Sequence, residues 1–387
     1  MKWEDFLTYE LNKRKLGFLF RKREVIKNNI NRFIYIKNKK YINFSSNDYF
    51  GFSINKNIIK SFKKGIDKYG VGSGSSGHII GYTEIHKKLE KSLANWLGYE
   101  ESLLFNSGYS ANQSIISTLM KKGDFIFADK LIHASLIEAS FFSRANLKRF
   151  LHNDLKSLKY MLSKHVVRKS LIVTEGIFSM EGDSAPIKEI KKISRDFNSW
   201  MLVDDSHGIG VIGEEGRGSC FLHNVKPELL MITFSKSIGI NGAALLCSRQ
   251  VKEYFIQYSK NLIYSTSMIP AQAFAILESV KHIKKADNFR KKLKDNVKYF
   301  RKISEKYNLP LLNSLSQIQL IPIKNDFLCL EIFEFLKENG FLVQAIRYPT
   351  VPIGTPRIRI TLLSSHSFID IEHLIELIYN FFNRHVS

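Results

Sequence analysis

Lys236, Asp204, His207, His133 and Ser179 are residue types that do chemistry, and each follows a short apolar run. The run 102–105 leads into Asn106, Ser107, Gly108, Tyr109 and Ser110. The run 125–128 leads into Asp129 and His133, and 171–174 into Glu175, Gly176 and Ser179. Asp204, Asp205 and His207 follow 200–203, while Ser235 and Lys236 lie at the end of 229–234. An amine, a carboxylate, two imidazoles and a glycine turn before a helix together suit pyridoxal phosphate. The amine can form a Schiff base with its aldehyde. The carboxylate can keep the pyridine nitrogen protonated, so that the ring accepts carbanion charge. Backbone N–H groups at a helix N-terminus can hold the phosphate, and Gly108 lets the backbone approach closely. On this reading Lys236 is the amine, Asp204 the acid and Gly108-Tyr109 the phosphate end. His133 can lie flat against the ring, and His207 can reach the phenolic oxygen or a reacting carbonyl.

Each residue alone has a plainer reading. A lysine after a strand is usually a surface residue, Asp204 could cap a turn, and either histidine could serve structure only. Ser179 and Thr233 are ordinary loop and strand residues by default. The Ser73-Gly74-Ser75-Ser76-Gly77 stretch could be a flexible loop or a phosphate cradle. What carries weight is the joint order along the chain, with every member at a strand end.

The elements that must position these groups are those of an α/β fold with a mainly parallel sheet flanked by helices. The five runs are short and apolar on both faces, as strands of a covered parallel sheet are. Amphipathic helical patterns lie between them. The stretch 87–97 places Leu89, Leu93 and Leu97 on one face and stops at Gly98. Pro186 opens a helix with Ile187, Ile190 and Ile193 on one face, taking its first position, and Pro270 opens another through about 286. In an open sheet of this kind ligands bind beyond the carboxyl ends of the strands. The tail reads as a smaller α+β domain: strands at 317–323 and 341–346, a helix over 327–338, a strand at 357–362 and a last helix from about 370. In 357–362 the residues alternate, so Arg357, Arg359 and Thr361 share one face. The expected division is an N-terminal arm (1–45, a helix and a hairpin), a large domain (46–286) and a small domain (287–387).

Composition narrows the class. The chain has 387 residues, 44% hydrophobic, which excludes a disordered protein. Cys220, Cys247 and Cys329 form no CxxC pair, so neither a zinc ribbon nor a disulfide framework is expected, nor any metal site; scattered thiols fit a reducing cytoplasm. The N-terminus carries acids early and lacks the apolar stretch of a signal peptide, and no apolar run approaches the roughly 20 residues of a membrane span. The net charge is +22, concentrated in residues 1–40 (12 basic, 4 acidic) and 281–306 (11 basic, 3 acidic). Lys, Ile, Asn and Phe are all abundant, so the charge reads as compositional bias and solvated helix faces, not a nucleic-acid surface. A further reading is attraction to an acidic partner or a phosphorylated substrate.

At the residues that open this section the chain resembles the α-oxoamine synthases, pyridoxal-phosphate enzymes of fold type I. The resemblance covers nearly the whole chain. It is carried by SSNDYFGF (45–52), YGVGSGSSGHIIGYTEIHKKLE (69–90), LLFNSGYSANQ (103–113), VTEGIFSMEGDSAPI (173–187), VDDSHGIGVIGEEGRGS (203–219) and TFSKSIGINGAALLCS (233–248). The AIRYPTVP stretch (345–352) favours the branch that uses L-alanine and a pimeloyl thioester, on acyl carrier protein or coenzyme A, over the glycine-using members. The resemblance implies that Lys236 holds the cofactor as a Schiff base, Asp204 pairs its pyridinium nitrogen and His133 stacks on its ring. Ser179 and His207 would contact its oxygen side, and Gly108, Tyr109 and Thr233 its phosphate. Arg21 and Thr350 would touch substrate, and Arg359 would bind the amino-acid carboxylate as a bidentate fork, with Asn47 assisting. The plainer reading of Arg357 and Arg359 is a solvated strand face. The family is dimeric, with the YSTSM segment (264–268) reaching the neighbouring site. Two departures stand out: Ser235, Ser237 and Ile238 surround the lysine where glycines are usual, and Tyr109 stands where Phe is frequent. Glycine C-acyltransferases, 5-aminolevulinate synthase and serine palmitoyltransferase share the same lysine, aspartate and histidines. A catalytically silent nucleic-acid-binding relative is the non-enzyme alternative.

Overall fold

The computed structural model describes residues 2–165 and 169–385. The chain divides into two units. The larger comprises Asn47–Ser179 and Asp183–Lys291, and the smaller takes in the described residues of Met1–Ser46, Met180–Gly182 and Lys292–Ser387.

A seven-stranded sheet forms the centre of the larger unit. In spatial order its strands are Glu101–Phe105, Ala243–Cys247, Leu229–Thr233, Trp200–Asp204, Ser170–Glu175, Phe125–Asp129 and Asn146–Phe150. Ala243–Cys247 runs antiparallel to both of its neighbours, and the remaining pairs are parallel. Six strands therefore point the same way and deliver their carboxyl ends to one rim. Burial explains the apolar runs. Ser170–Glu175, Leu229–Thr233 and Ala243–Cys247 are buried at every residue. The helix Glu84–Leu97 buries Ile85, Leu89 and Leu93 and ends at Gly98, whose φ of 74° supplies the left-handed turn that a Cβ disfavours. The helix Ile187–Asp196 buries Ile187, Ile190 and Ile193; Pro186 stands one place before it, as the cap, not as its first residue. Pro270 does occupy the first turn of Pro270–Lys284.

Two strands of this sheet were not anticipated. Asn146–Phe150 is an edge strand with a polar, partly exposed sequence, so it lacks the apolar signature of its neighbours. Ala243–Cys247 is apolar throughout, and its antiparallel insertion between two strands distant in sequence leaves no local trace.

Behind the rim, Asp205 is fully buried and accepts a hydrogen bond from the Ser219 backbone N–H at 2.7 Å. Burial pushes its carboxyl up to about 7, with Asp204 adding to the rise while Ser219 and Lys236 oppose it. Gly176 makes room for this group: a Cβ there would lie 2.0 Å from Asp205 Oδ1 and 2.8 Å from Ser219 Oγ. Gly176→Ala is expected to destabilise the protein by about 1–3 kcal/mol through overpacking, read as a lower urea midpoint.

The smaller unit contains two sheets. One holds Ile26–Ile30, Phe33–Ile36, Lys39–Asn43 and Phe341–Leu342, and the other Ile318–Pro322, Arg357–Thr361 and Gln344–Ile346. The single strand expected over 341–346 is thus split between two sheets at the buried Val343. Arg357–Thr361 is the central strand of three and is buried at every residue, which overturns the solvated-face reading of its arginines. Arg357 Nη1 donates to the Met180 carbonyl at 3.0 Å and pairs with Glu181 at 3.2 Å. Arg359 Nη1 donates to Thr361 Oγ1 at 2.9 Å and to Gln344 Oε1 at 3.3 Å. All three cysteines are buried and unbridged. Among the described residues no helix is long and apolar enough to cross a membrane.

Candidate active site

Lys236, Asp204, His133 and His207 line one cavity of about 250 Å³ at the rim of the larger unit. Ser179, Gly108, Tyr109 and Thr233 line the same cavity. A larger cavity of about 330 Å³ lies elsewhere, around Tyr82, Glu90 and Lys252. Its lysine is already engaged by two carboxylates, Glu90 and Glu101, each at 2.8 Å. Chemistry and not volume therefore singles out the first cavity. Among the described residues no group of three His, Cys, Asp or Glu side chains could hold a metal ion.

Asp204 ends the strand Trp200–Asp204 and is 5% exposed. Its Oδ2 accepts from Asn112 Nδ2 at 2.9 Å and its Oδ1 from the Ser206 N–H at 3.1 Å. Both bonds fix the carboxylate's direction. Asn112 Nδ2 also donates to Ser135 Oγ at 3.0 Å, and that hydroxyl lies 2.8 Å from His133 Nδ1. A continuous polar chain thus joins the two groups expected on the edge and face of one ring. His133 caps the helix Ala134–Phe142, and its Nδ1 accepts from the Ser135 N–H. The imidazole opens onto the cavity, while the atoms packed behind it strip hydration and lower its pKa; Asp204 opposes and Lys236 reinforces that shift. The ring is therefore neutral at pH 7.

His207 is buried, and the Tyr49 hydroxyl meets its Nδ1 at 2.5 Å. Tyr49→Phe leaves the packing and removes this anchor. It is expected to lower kcat about five- to tenfold with little change in cofactor affinity, measured by steady-state assay beside a cofactor titration.

Lys236 sits in a tight connection between two buried strands. Phe234 N–H donates to the Gly242 carbonyl at 2.8 Å and Gly239 N–H to the Lys236 carbonyl at 3.0 Å. The unusual side chains around it have structural work: Ser237 Oγ donates to the Ile209 carbonyl at 2.6 Å, and Ile238 is fully buried. Ser235 Oγ lies 3.0 Å from Thr233 Oγ1, which also donates to the Gly242 carbonyl at 3.0 Å. Across from them the helix Gly108–Leu119 begins; a Cβ on Gly108 would stand 3.6 Å from Thr233. Its first N–H groups have no partners within the helix. A carboxylate, an amine, a flat neutral imidazole and a hydroxyl-rimmed helix start are the donor set that pyridoxal phosphate requires, and these residues fit it.

Eight of the expected site residues thus share one cavity. Of the other four, Asn47 begins the larger unit and does not line that cavity, while Arg21, Thr350 and Arg359 belong to the smaller unit, where Arg21 Nη2 donates to Thr350 Oγ1 at 3.3 Å and Arg359 is bonded as described above. Tyr49, Asn112 and Ser135 were missed as site residues. For Asn112 a signal existed: it lies one helical turn beyond Gly108, on the same face.

Residues 39–378 match the aminotransferase class I and II family. The chain is 49% identical to 8-amino-7-oxononanoate synthase of Photorhabdus laumondii over 381 residues, covering 98% of this chain and all of the relative. The solved 8-amino-7-oxononanoate synthase of Francisella tularensis is 31% identical, with a TM-score of 0.80 over 90% of this chain and 99% of its own. A serine palmitoyltransferase structure holding its pyridoxal phosphate internal aldimine is 25% identical, with a TM-score of 0.91 over 98% and 97% of the two chains. The chain belongs to the class I and II aminotransferase family and, within it, to the 8-amino-7-oxononanoate synthases.

Proposed function

We propose that this chain joins L-alanine to a pimeloyl thioester, releasing CO2 and the carrier and giving 8-amino-7-oxononanoate for biotin synthesis. The observation that carries the reading is the shared cavity of Lys236 and Asp204, in a chain 49% identical to a synthase of that product. Bound there, pyridoxal phosphate supplies an electron sink for the carbanion at the amino acid's Cα. The residues do the rest. Asp204 holds positive charge at one side of the cavity, its orientation set by Asn112 and Ser206. His133, neutral and capped onto its helix, presents a flat face. Lys236 supplies the amine that removes the Cα proton and later returns one. His207, held through Nδ1 by Tyr49, donates to the oxygen that becomes negative as the thioester carbon is attacked. Ser179 contacts the cofactor's oxygen side; Gly108, Tyr109 and Thr233 take its phosphate. Arg359 receives the amino-acid carboxylate, and Arg21 and Thr350 touch substrate, as the resemblance implies.

The working form in this reading is a homodimer in the cytoplasm. Its support is an apolar surface flanking two segments of the larger unit. Val71, Ile79, Ile80 and Tyr264 are each more than 70% exposed, more than a solvated face ordinarily tolerates together. The segments that carry them are tied by the Ser267 N–H to Ser75 carbonyl bond at 3.1 Å and by Ser73 Oγ to the Ser267 carbonyl at 2.8 Å. Sedimentation equilibrium tests the dimer. The chemistry is tested by incubating purified protein and pyridoxal phosphate with a pimeloyl thioester and alanine, glycine or serine in turn. Product of the mass of 8-amino-7-oxononanoate, formed fastest from alanine, supports the reading; faster turnover of glycine or serine overturns it. Running the thioester on acyl carrier protein and on coenzyme A identifies the carrier.

A further inference from the structure

Three charged side chains outside the cavity tie together two loops that line it. Asp129 ends the strand Phe125–Asp129 with a fully buried carboxylate. Its Oδ1 accepts from the Leu131 N–H at 2.8 Å and faces His152 Nδ1 at 2.9 Å; its Oδ2 accepts from the Asn153 N–H at 2.8 Å. The turn so fixed runs directly into His133. On the opposite side His152 Nε2 meets Asp183 Oδ2 at 2.9 Å, and Asn153 Nδ2 donates to the same oxygen at 3.0 Å. Asp183 closes a tight hairpin: Phe178 N–H donates to its carbonyl at 2.9 Å, and Ile177 bridges to Ser184. Phe178 stands edge-on to the His152 ring, with centroids 4.5 Å apart at 88°. The next residue is Ser179, in the cavity wall.

Each nitrogen of the His152 ring faces a carboxylate oxygen, and carboxylates only accept. Both nitrogens therefore carry protons, and the ring is an imidazolium held between two anions. Burial opposes that charge, but the hydrogen bonds and charges of Asp129 and Asp183, the ionised groups facing the ring, outweigh it and push the His152 pKa up to about 10. The charge persists at neutral pH.

We infer that His152 is a positioning residue: through Asp129 and Asp183 it sets the His133 turn and the Ser179 hairpin at a fixed separation across the cavity. The inference rests on the cavity being the pyridoxal phosphate site, and it concerns residues outside that cavity's lining. A plain structural brace would cost stability and nothing more. A positioning residue changes how the cofactor sits.

The test uses purified full-length protein titrated with pyridoxal phosphate, followed by visible absorbance and visible circular dichroism. His152→Ala is expected to weaken cofactor binding about tenfold, the loss of a charge-assisted contact, and to alter the visible dichroism. Asp183→Asn, at a partly exposed side chain, is expected to shift both in the same direction, and it decides the matter if His152→Ala does not fold. Because both act through one link, the double variant is expected to bind no more weakly than His152→Ala alone. Ile193→Ala, a core truncation on the helix Ile187–Asp196, serves as the control that lowers Tm without moving either readout. Variants that lose thermal stability but keep the parent affinity and dichroism overturn the inference while leaving the cofactor site intact. A parent protein that binds no pyridoxal phosphate overturns the proposed function and this inference together.

Discussion

Lys236→Ala is expected to leave a folded protein with no borohydride-reducible cofactor adduct and turnover reduced by at least about 1,000-fold. Folding is spared because the connection around residue 236 is held by its neighbours. Gly239 bonds the Lys236 backbone carbonyl, Ser237 bonds Ile209, and Ser279 Oγ donates to the Ile238 carbonyl at 2.6 Å. Chemistry is not spared, because one amine is assigned both covalent attachment and proton transfer at Cα. Lys236→Arg separates charge from these roles: guanidinium keeps the positive charge, forms no imine and does not give up its proton near neutrality. It is expected to be as inactive as Lys236→Ala. Measurable adduct or substantial turnover in either variant would remove Lys236 from the centre of the mechanism.

Asp204→Asn is the second large effect, expected to lower kcat on the order of 100- to 1,000-fold while the cofactor still binds. The carboxylate accepts from two donors, Asn112 Nδ2 and the Ser206 N–H, one on each oxygen. An amide offers one acceptor oxygen, so one of these donors must face an NH2 group and lose its bond. The larger loss is electrostatic. Without the negative charge, a protonated nitrogen in the cavity has nothing to hold its proton, and the cofactor ring withdraws electrons less strongly. Stopped-flow measurement of the Cα deprotonation step separates this from a binding defect. Unchanged deprotonation would assign Asp204 to the fold alone.

The fold was legible wherever a strand is covered on both faces, since such strands announce themselves as apolar runs closed by a polar residue. Trp200–Asp204 and Leu229–Thr233 were read that way, and with them Asp204 and Lys236. Asn146–Phe150 was invisible because an edge strand needs no second apolar face. The split of 341–346 between two sheets was also invisible, because partner choice depends on residues far away in the chain. Within the cavity the groups proposed to react could be picked out by type and order, and the structure brings them together. The groups that orient them could not be picked out in this way. Asn112 and Ser135 look like ordinary helix residues until Asp204 and His133 are placed beside them. Arg359 was read as a carboxylate binder only through the resemblance, and its burial was not read at all, because alternation alone cannot tell a solvated face from one covered by other elements.

The parallel pairing of Lys39–Asn43 with Phe341–Leu342 has a consequence for biosynthesis. A nascent chain leaves the ribosome with Ile42 already made and Phe341 still hundreds of codons away, so the first-made sheet waits for almost the last-made strand. The central sheet of the larger unit is complete once Cys247 emerges, and it is expected to close first, co-translationally. A message cut short after that point would yield a product with an ordered centre and a bare apolar cluster of Ile34, Ile36 and Tyr41, lacking the Leu342 that packs against it. Such fragments would engage chaperones and proteases instead of accumulating.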